Sequence, residues 1–301
     1  MKNFKSLLLP VLGIAIIVSC TKVIIGSSGN KDNSTIIATS STKSDSINKN
    51  VIDKKTPLAH KKYIYLTIDD APLNGSRYID SVISATKVKT NIFMVGGPIH
   101  KSGKFKNYHE SLKKNRFIEI YNHSYSHANH KYSSYYKNPK QVVSDFDKNM
   151  KEFKLRHHIA RLPGRNLWQL GDRKKNYRQT GSDAAKLLAE NGYKIFGWDV
   201  EWKYNPKDNS PQQTIDELIE EIENTSTTFT PNHIVLLMHD QMFGKINKNN
   251  DLAELIEKLL EHDFTFKYLS DYPDLSENRE SVSNASLFTP TSDITSFSPP
   301  P

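Results

Sequence analysis

The chain holds one cysteine, Cys20, in 301 residues. An internal disulfide is therefore excluded, and so are a cysteine-rich zinc site and a thiol nucleophile in any domain downstream. Long apolar runs are also missing. The stretch from Ser6 to Val18 is too short to span a bilayer comfortably, and Pro10 interrupts it. No glycine-rich phosphate loop follows the first strand-like stretch, which argues against a dinucleotide fold. The formal charge of +8 is not gathered into a basic stripe with interleaved aromatics, so nucleic acid is not an expected partner. No internal repeat is present.

What remains is a chain with 37% hydrophobic and 25% charged residues, a soluble globular composition with polar additions. Its length suits one large domain or two small ones. Met1-Lys2-Asn3-Phe4-Lys5 is a basic head, followed by the apolar run and then Ser19-Cys20. That order reads as a secretory signal over residues 1–19. Ile17-Val18-Ser19-Cys20 resembles the bacterial lipobox, which implies cleavage before Cys20 and lipid on its sulfur. The expected product is an exported, membrane-anchored lipoprotein on the periplasmic or cell-surface side. Without Lys2 and Lys5 its formal charge falls from +8 to +6, an excess suited to an anionic surface such as cell-wall polymer or lipid headgroups. Residues 20–60, rich in Ser, Thr, Asn, Lys and Asp, read as a flexible tether, and residues 276–301 as a disordered tail. The folded domain is expected over residues 61–275.

Within it, Tyr63-Ile64-Tyr65-Leu66-Thr67-Ile68 has the β-branched and aromatic character of a buried strand. The strand ends on Asp69-Asp70, two adjacent carboxylates that are costly in an apolar setting unless something stabilises them. Further strands are expected at Asn91–Val95, Phe117–Tyr121, Ile159–Leu162, Lys194–Val200, Asn232–Met238 and Phe264–Tyr268. Helical periodicity recurs between them: Ser76–Ala85, Tyr108–Lys114, a helix opened by Asn138-Pro139, Asp183–Asn191, a helix capped by Ser210-Pro211, and the run from Leu252 to Leu260. Such alternation argues for a parallel sheet, either a closed or nearly closed barrel or an open doubly wound sheet. Residues of catalytic type at several strand ends favour the barrel, which gathers strand ends around one mouth.

The third strand runs into Asn122-His123-Ser124-Tyr125-Ser126-His127. On one helical turn the two imidazoles, four residues apart, would point the same way. Two histidines and one carboxylate form a common ligand set for a catalytic divalent metal, with Asp69 or Asp70 as the carboxylate. Ser124 stands where a metallopeptidase helix would carry glutamate. His239, leaving the apolar Leu236-Leu237-Met238 run, has the setting of a general acid.

Taken in order, Thr67-Ile68-Asp69-Asp70-Ala71-Pro72, His123-Ser124-Tyr125-Ser126-His127, Arg161-Leu162-Pro163-Gly164 and Leu237-Met238-His239 resemble the polysaccharide deacetylases of the NodB homology domain. The resemblance spans roughly Lys61 to Tyr272. It implies an α/β fold, a distorted barrel of parallel strands, and removal of acetyl groups from acetylated polysaccharide or oligosaccharide. It implies Asp69 as base, Asp70, His123 and His127 as ligands of one divalent metal, Arg161 as the residue orienting the base, and His239 as acid. Zinc is the default metal, and cobalt or manganese also fit. Leu237 is implied in the apolar wall around the acetyl methyl. Gly164 stands where the family has tyrosine, so its backbone N–H remains but an aromatic wall is missing. Trp198-Asp199-Val200-Glu201-Trp202 resembles a further family motif in which an acid tunes the histidine, with Asp199 and Glu201 both candidates. Trp198 reads as core rather than sugar platform, Trp202, nearer the rim, as either a sugar platform or core, and Arg165 as a contact for an anionic substrate group or a charge facing solvent. The leading function is N-deacetylation of a cell-surface or cell-wall carbohydrate. The alternatives are an O-acetyl esterase and an inactive carbohydrate-binding lipoprotein.

Overall fold

A computed structural model describes residues 61–245 and 250–273. The signal, the lipidation at Cys20, the tether and the tail, all expectations from the sequence, lie outside the described residues. Among these residues ten strands form one sheet: β1 (Lys62–Ala71), β2 (Thr90–Met94), β3 (Ile118–Asn122), β4 (Ile159–Ala160), β5 (Trp168–Leu170), β6 (Arg173–Lys175), β7 (Lys194–Ile195), β8 (Val200–Glu201), β9 (His233–His239) and β10 (Phe264–Phe266). Among the described residues eight α-helices accompany them: α1 (Ser76–Thr86), α2 (Gly97–Lys101), α3 (Gly103–Lys114), α4 (Tyr132–Tyr135), α5 (Pro139–Phe153), α6 (Ser182–Glu190), α7 (Ile215–Asn224) and α8 (Leu252–Glu261). Among the described residues no helix is long and apolar enough to cross a membrane.

The sheet order is β6-β5-β7-β4-β3-β2-β1-β9-β8, with β10 also pairing β1. Every pairing is parallel except those of β5 with β6 and with β7. The sheet curls into a half barrel, in agreement with the expected distorted barrel.

Strand periodicity decides which residues enter the barrel. Side chains alternate faces along a strand. In β1, Ile64, Leu66 and Ile68 join the core that α1, α7 and α8 cover. Tyr65 faces the other way, into an aromatic cluster with Phe93, Tyr121, Trp168 and Phe196. Thr67 and Asp69 share its parity. In β9, Ile234, Leu236 and Met238 belong to the helix-covered core, so Leu237 and His239 take the inner face. The register sets Asp69 opposite His239 on the neighbouring strand.

Several elements differ from their sequence expectations. The fifth strand, expected over Lys194–Val200, splits into β7 and β8. Between them the carbonyls of Phe196 and Gly197 accept from the Arg161 guanidinium, at 3.2 and 2.7 Å. Gly197 is required there, because a Cβ would lie 2.1 Å from Asn166 Oδ1. The helix expected at Ser210-Pro211 begins instead at Ile215, where Thr214 and Glu217 form a reciprocal capping box. The β5–β6 hairpin had no alternating apolar pattern to announce it, and α3 starts at Gly103 rather than Tyr108.

Candidate active site

Asp69 and Asp70 would point to opposite faces of a regular strand. A register shift in β1 between Asp69 and Ala71, with Asp70 at φ 70°, breaks the alternation. Aspartate tolerates this left-handed conformation better than most residues. Both carboxylates therefore open into one cleft of about 380 Å³, which is also lined by His123, His127, Leu237 and His239.

The histidine segment is not a helical turn. Ser124 and residues 127–130 have positive φ, and this left-handed loop turns the two rings toward each other, 5.1 Å between centroids. Buried amides hold it. Asn122 Oδ1 accepts from Ser124 N at 3.0 Å and from Asn149 Nδ2 at 2.9 Å. Ser124 Oγ accepts from His127 N at 3.0 Å, and Asp145 of α5 accepts from Ser126 and Tyr135. Nothing in the local pattern marked Asn149 or Asp145, because Asn122 and Ser126, which they meet, are distant in sequence.

His127 Nε2 lies 3.0 Å from Asp70 Oδ1, and His123 Nε2 lies 3.6 Å from the same oxygen. One donor atom from each of the three residues falls within 4.8 Å of the others. Asp70 Oδ1 is buried and has no hydrogen-bond partner among the described residues. His123 Nδ1 donates to the Arg161 carbonyl at 2.8 Å, which leaves the Nε2 lone pair facing Asp70. A convergent carboxylate oxygen without a donor, and an imidazole nitrogen turned toward it, fit a divalent cation. Burial pushes the Asp70 carboxyl up, but the surrounding imidazoles outweigh it and hold the group below the usual carboxylate range. Burial lowers His123. His127 also feels burial, but Asp70 and Asp69 raise it.

Asp69 is set apart by a different partner. Arg161, fully buried, donates from Nη1 to Asp69 Oδ1 and Thr67 Oγ1, both at 2.8 Å, and its guanidinium lies 4.2 Å from the Phe93 ring centroid. Burial lowers Arg161 from its ordinary value while Asp69 opposes the shift. Asp69 Oδ2 remains 3.5 Å from His123 Nε2. On the far side, His239 packs against Tyr204 at 4.9 Å, and its buried Nδ1 has no hydrogen-bond partner among the described residues.

Three expectations need correction. Trp202 is fully buried, packed on Phe243 and donating to the Gln213 carbonyl, so it offers no surface to a sugar. Trp198, expected in the core, lines the cleft instead. Regular pairing stops after Ile195 and resumes only at Val200, so the alternation assumed for this segment does not hold. Arg165 does not line the cleft; Thr180 and the Gly164 carbonyl accept from its Nε, Nη1 and Nη2 at 2.7–3.0 Å. Gly164 lines the cleft, and the aromatic surface missing there comes from Tyr132, whose ring a Cβ at Gly164 would approach to 3.3 Å. Of the two acids near Trp198, Asp199 accepts from Phe229 N and Val235 N and is a scaffold residue, whereas Glu201 lines the cleft. Gln241, unsignalled in the sequence, donates from Nε2 to Asp70 Oδ2 at 3.2 Å and to Tyr204 Oη at 2.8 Å.

Residues 57–165 match the family model described as polysaccharide deacetylase. The matched segment includes both aspartates, both histidines and Arg161, and it ends before β9. Among solved structures, a CE4 esterase from Streptococcus mutans is similar at 21% identity, over 69% of this chain and 86% of that one, with a TM-score of 0.53. The catalytic domain of a peptidoglycan N-acetylglucosamine deacetylase from Eubacterium rectale is similar at 22% identity, over 69% and 88%, with a TM-score of 0.52. A CE4 family pseudoenzyme from Bacillus anthracis is similar at 17% identity, over 70% and 65%, with a TM-score of 0.50. At these identities the likeness concerns the fold. No curated protein matches the sequence.

Proposed function

We propose that the protein is an active, metal-dependent hydrolase that removes acetyl groups from an N-acetylated cell-surface or cell-wall carbohydrate, and that it is exported and anchored through lipid on Cys20. One observation carries the catalytic reading: Asp70, His123 and His127 converge within 4.8 Å, with the Arg161-bound Asp69 beside them and His239 on the adjoining strand. A protein that kept only the fold for binding would have no need of buried carboxylates and imidazoles in this arrangement. The Eubacterium rectale protein is a peptidoglycan N-acetylglucosamine deacetylase, which supports an amide substrate.

Asp70, His123 and His127 would hold the cation, zinc by default. When bound, it supplies a Lewis acid for the acetyl carbonyl and makes a water molecule more acidic. The chain's own groups supply the rest. Arg161 occupies Asp69 Oδ1, so Oδ2 is left to accept the proton of the attacking water. The Gly164 N–H is the backbone donor for the tetrahedral oxyanion. His239 gives its proton to the departing sugar nitrogen, and Leu237 and Trp198 wall the cleft against bulk water.

The test is acetate release from chitooligosaccharide and from acetylated xylan, with and without chelator. Release from the first alone, abolished by chelator and restored by zinc, is the expected result. Release from xylan alone identifies an O-acetyl esterase. Glycan binding without release of acetate overturns the catalytic reading.

A further inference from the structure

At the end of the sheet away from the cleft, a groove of about 410 Å³ runs between the C-terminal turn of α3 and the segment following α5. The central strands are parallel and the candidate metal ligands stand at or just past their C-terminal ends. The groove lies instead at the N-terminal end of β3, with Ile118 and Ile120 in its wall. Five cations line it: Lys113, Lys114, Arg116, Lys154 and Arg156. All five are exposed, and none forms an ion pair with an acidic side chain among the described residues. The single carboxylate of the lining, Glu119, is already engaged by the Tyr121 hydroxyl and lies 3.7 Å from His157 Nε2. The local excess of four is half the formal +8 of the whole chain.

We propose that this groove docks the domain on a membrane surface by binding the anionic phosphate groups of lipid headgroups. Converging cations without counter-charges repel one another, and a closely spaced array of phosphates relieves that repulsion while the exposed side chains stay hydrated. The position of the groove favours a membrane over a soluble polymer. β1 runs parallel to β3, so the chain enters the domain at this same end, after the segment that leads back to Cys20. A domain seated this way turns its cleft away from the bilayer. The orientation rests on the anchoring reading above; the recognition of charge does not.

The experiment uses the chain from residue 20 with Cys20→Ser, which contains every described residue and carries no lipid. Its binding to phosphatidylglycerol–phosphatidylcholine vesicles is compared with its binding to pure phosphatidylcholine. Each basic residue near an anionic surface contributes roughly fivefold to affinity. A Lys113→Ser/Lys154→Ser/Arg156→Ser variant should therefore bind the anionic vesicles about 100-fold more weakly, with acetate release unchanged. Lys131→Ser/Lys137→Ser/Lys140→Ser removes the same charge beside the N-terminal end of α5 and should change binding by less than about twofold. Binding by the parent should fall as salt rises. Equal binding by the first variant and the parent overturns the proposal, and so does an equal loss in the second variant. Preference of the parent for soluble poly(glycerol phosphate) over vesicles overturns the membrane assignment. Absence of lipid on exported wild-type protein would remove the anchoring reading alone, because the vesicle assay uses unlipidated chain.

Discussion

Arg161 and His123 are joined through a single backbone carbonyl: the Arg161 oxygen accepts from His123 Nδ1 at 2.8 Å while the guanidinium of the same residue grips Asp69 at 2.8 Å. One residue thus orients both a candidate metal ligand and the candidate base, through separable groups.

That separation gives the first prediction. Arg161→Met deletes the guanidinium and keeps the carbonyl. Zinc affinity should stay within a few-fold while turnover falls by at least about 100-fold. Stability should drop by about 3–5 kcal/mol, because a buried carboxylate loses its partner. Asp69→Asn should likewise retain metal and lose turnover. Elemental analysis beside acetate release reads both variants, and metal loss with activity intact in Asp69→Asn would reverse the roles of the two aspartates.

His127→Ala removes one of the three converging donors. Zinc affinity should fall by more than the roughly 10–100-fold typical of residues behind the ligands. Competition against a fluorescent chelator measures it without reference to activity. Unchanged affinity would remove His127 from the metal set.

Asn149 Nδ2 donates to Asn122 Oδ1 and to the Met94 carbonyl, both at 2.9 Å, in a wholly buried setting. Asn149→Leu leaves both acceptors short of a donor at a cost of about 1–3 kcal/mol. Since Asn122 also braces Ser124, zinc affinity should fall by about tenfold. Urea unfolding and the chelator competition test the two effects separately.

Asp240 is fully buried; burial pushes its carboxyl up to about 6, against the hydrogen bonds donated by Ser76 Oγ, Leu73 N and Gly75 N. In the folded state it therefore holds its proton over a pH range in which the unfolded chain has lost it. Its contribution to stability is fully present below about pH 4 and is lost as pH rises through about 6, by about 3 kcal/mol in total. Ser76→Ala removes a donor that favours the ionised form. The stability gap between wild type and this variant should be small at pH 4.5 and widen to about 1–2 kcal/mol at pH 7. A gap constant across that range would show that Asp240 does not titrate there.

Much of this site was legible in the chain. An apolar strand ending in Asp69-Asp70, paired imidazoles after another strand, and His239 closing a third are each local patterns, and strand order alone carries them to one rim. Trp198 and Trp202 were not legible, because their assignment depended on a strand running unbroken through Gly197. Arg165 could not be judged either, since Thr180, its partner, lies on a loop that no periodicity predicts. Gln241 and Asn149 are ordinary polar residues until the fold brings them against Asp70 and Asn122.

The sequence by itself determined the alternating strands and helices, the chemistry of the two aspartates and three histidines, and the excess of positive charge, because each follows from residue type and short-range spacing. Tertiary structure decided which aspartate meets both imidazoles, which tryptophan reaches the cleft, and where the positive charge collects. Those outcomes depend on one left-handed residue at Asp70, a left-handed loop at His127, and the convergence of α3 with the segment after α5. Backbone turns and packing of that kind arise between segments remote in sequence, and local pattern does not encode them.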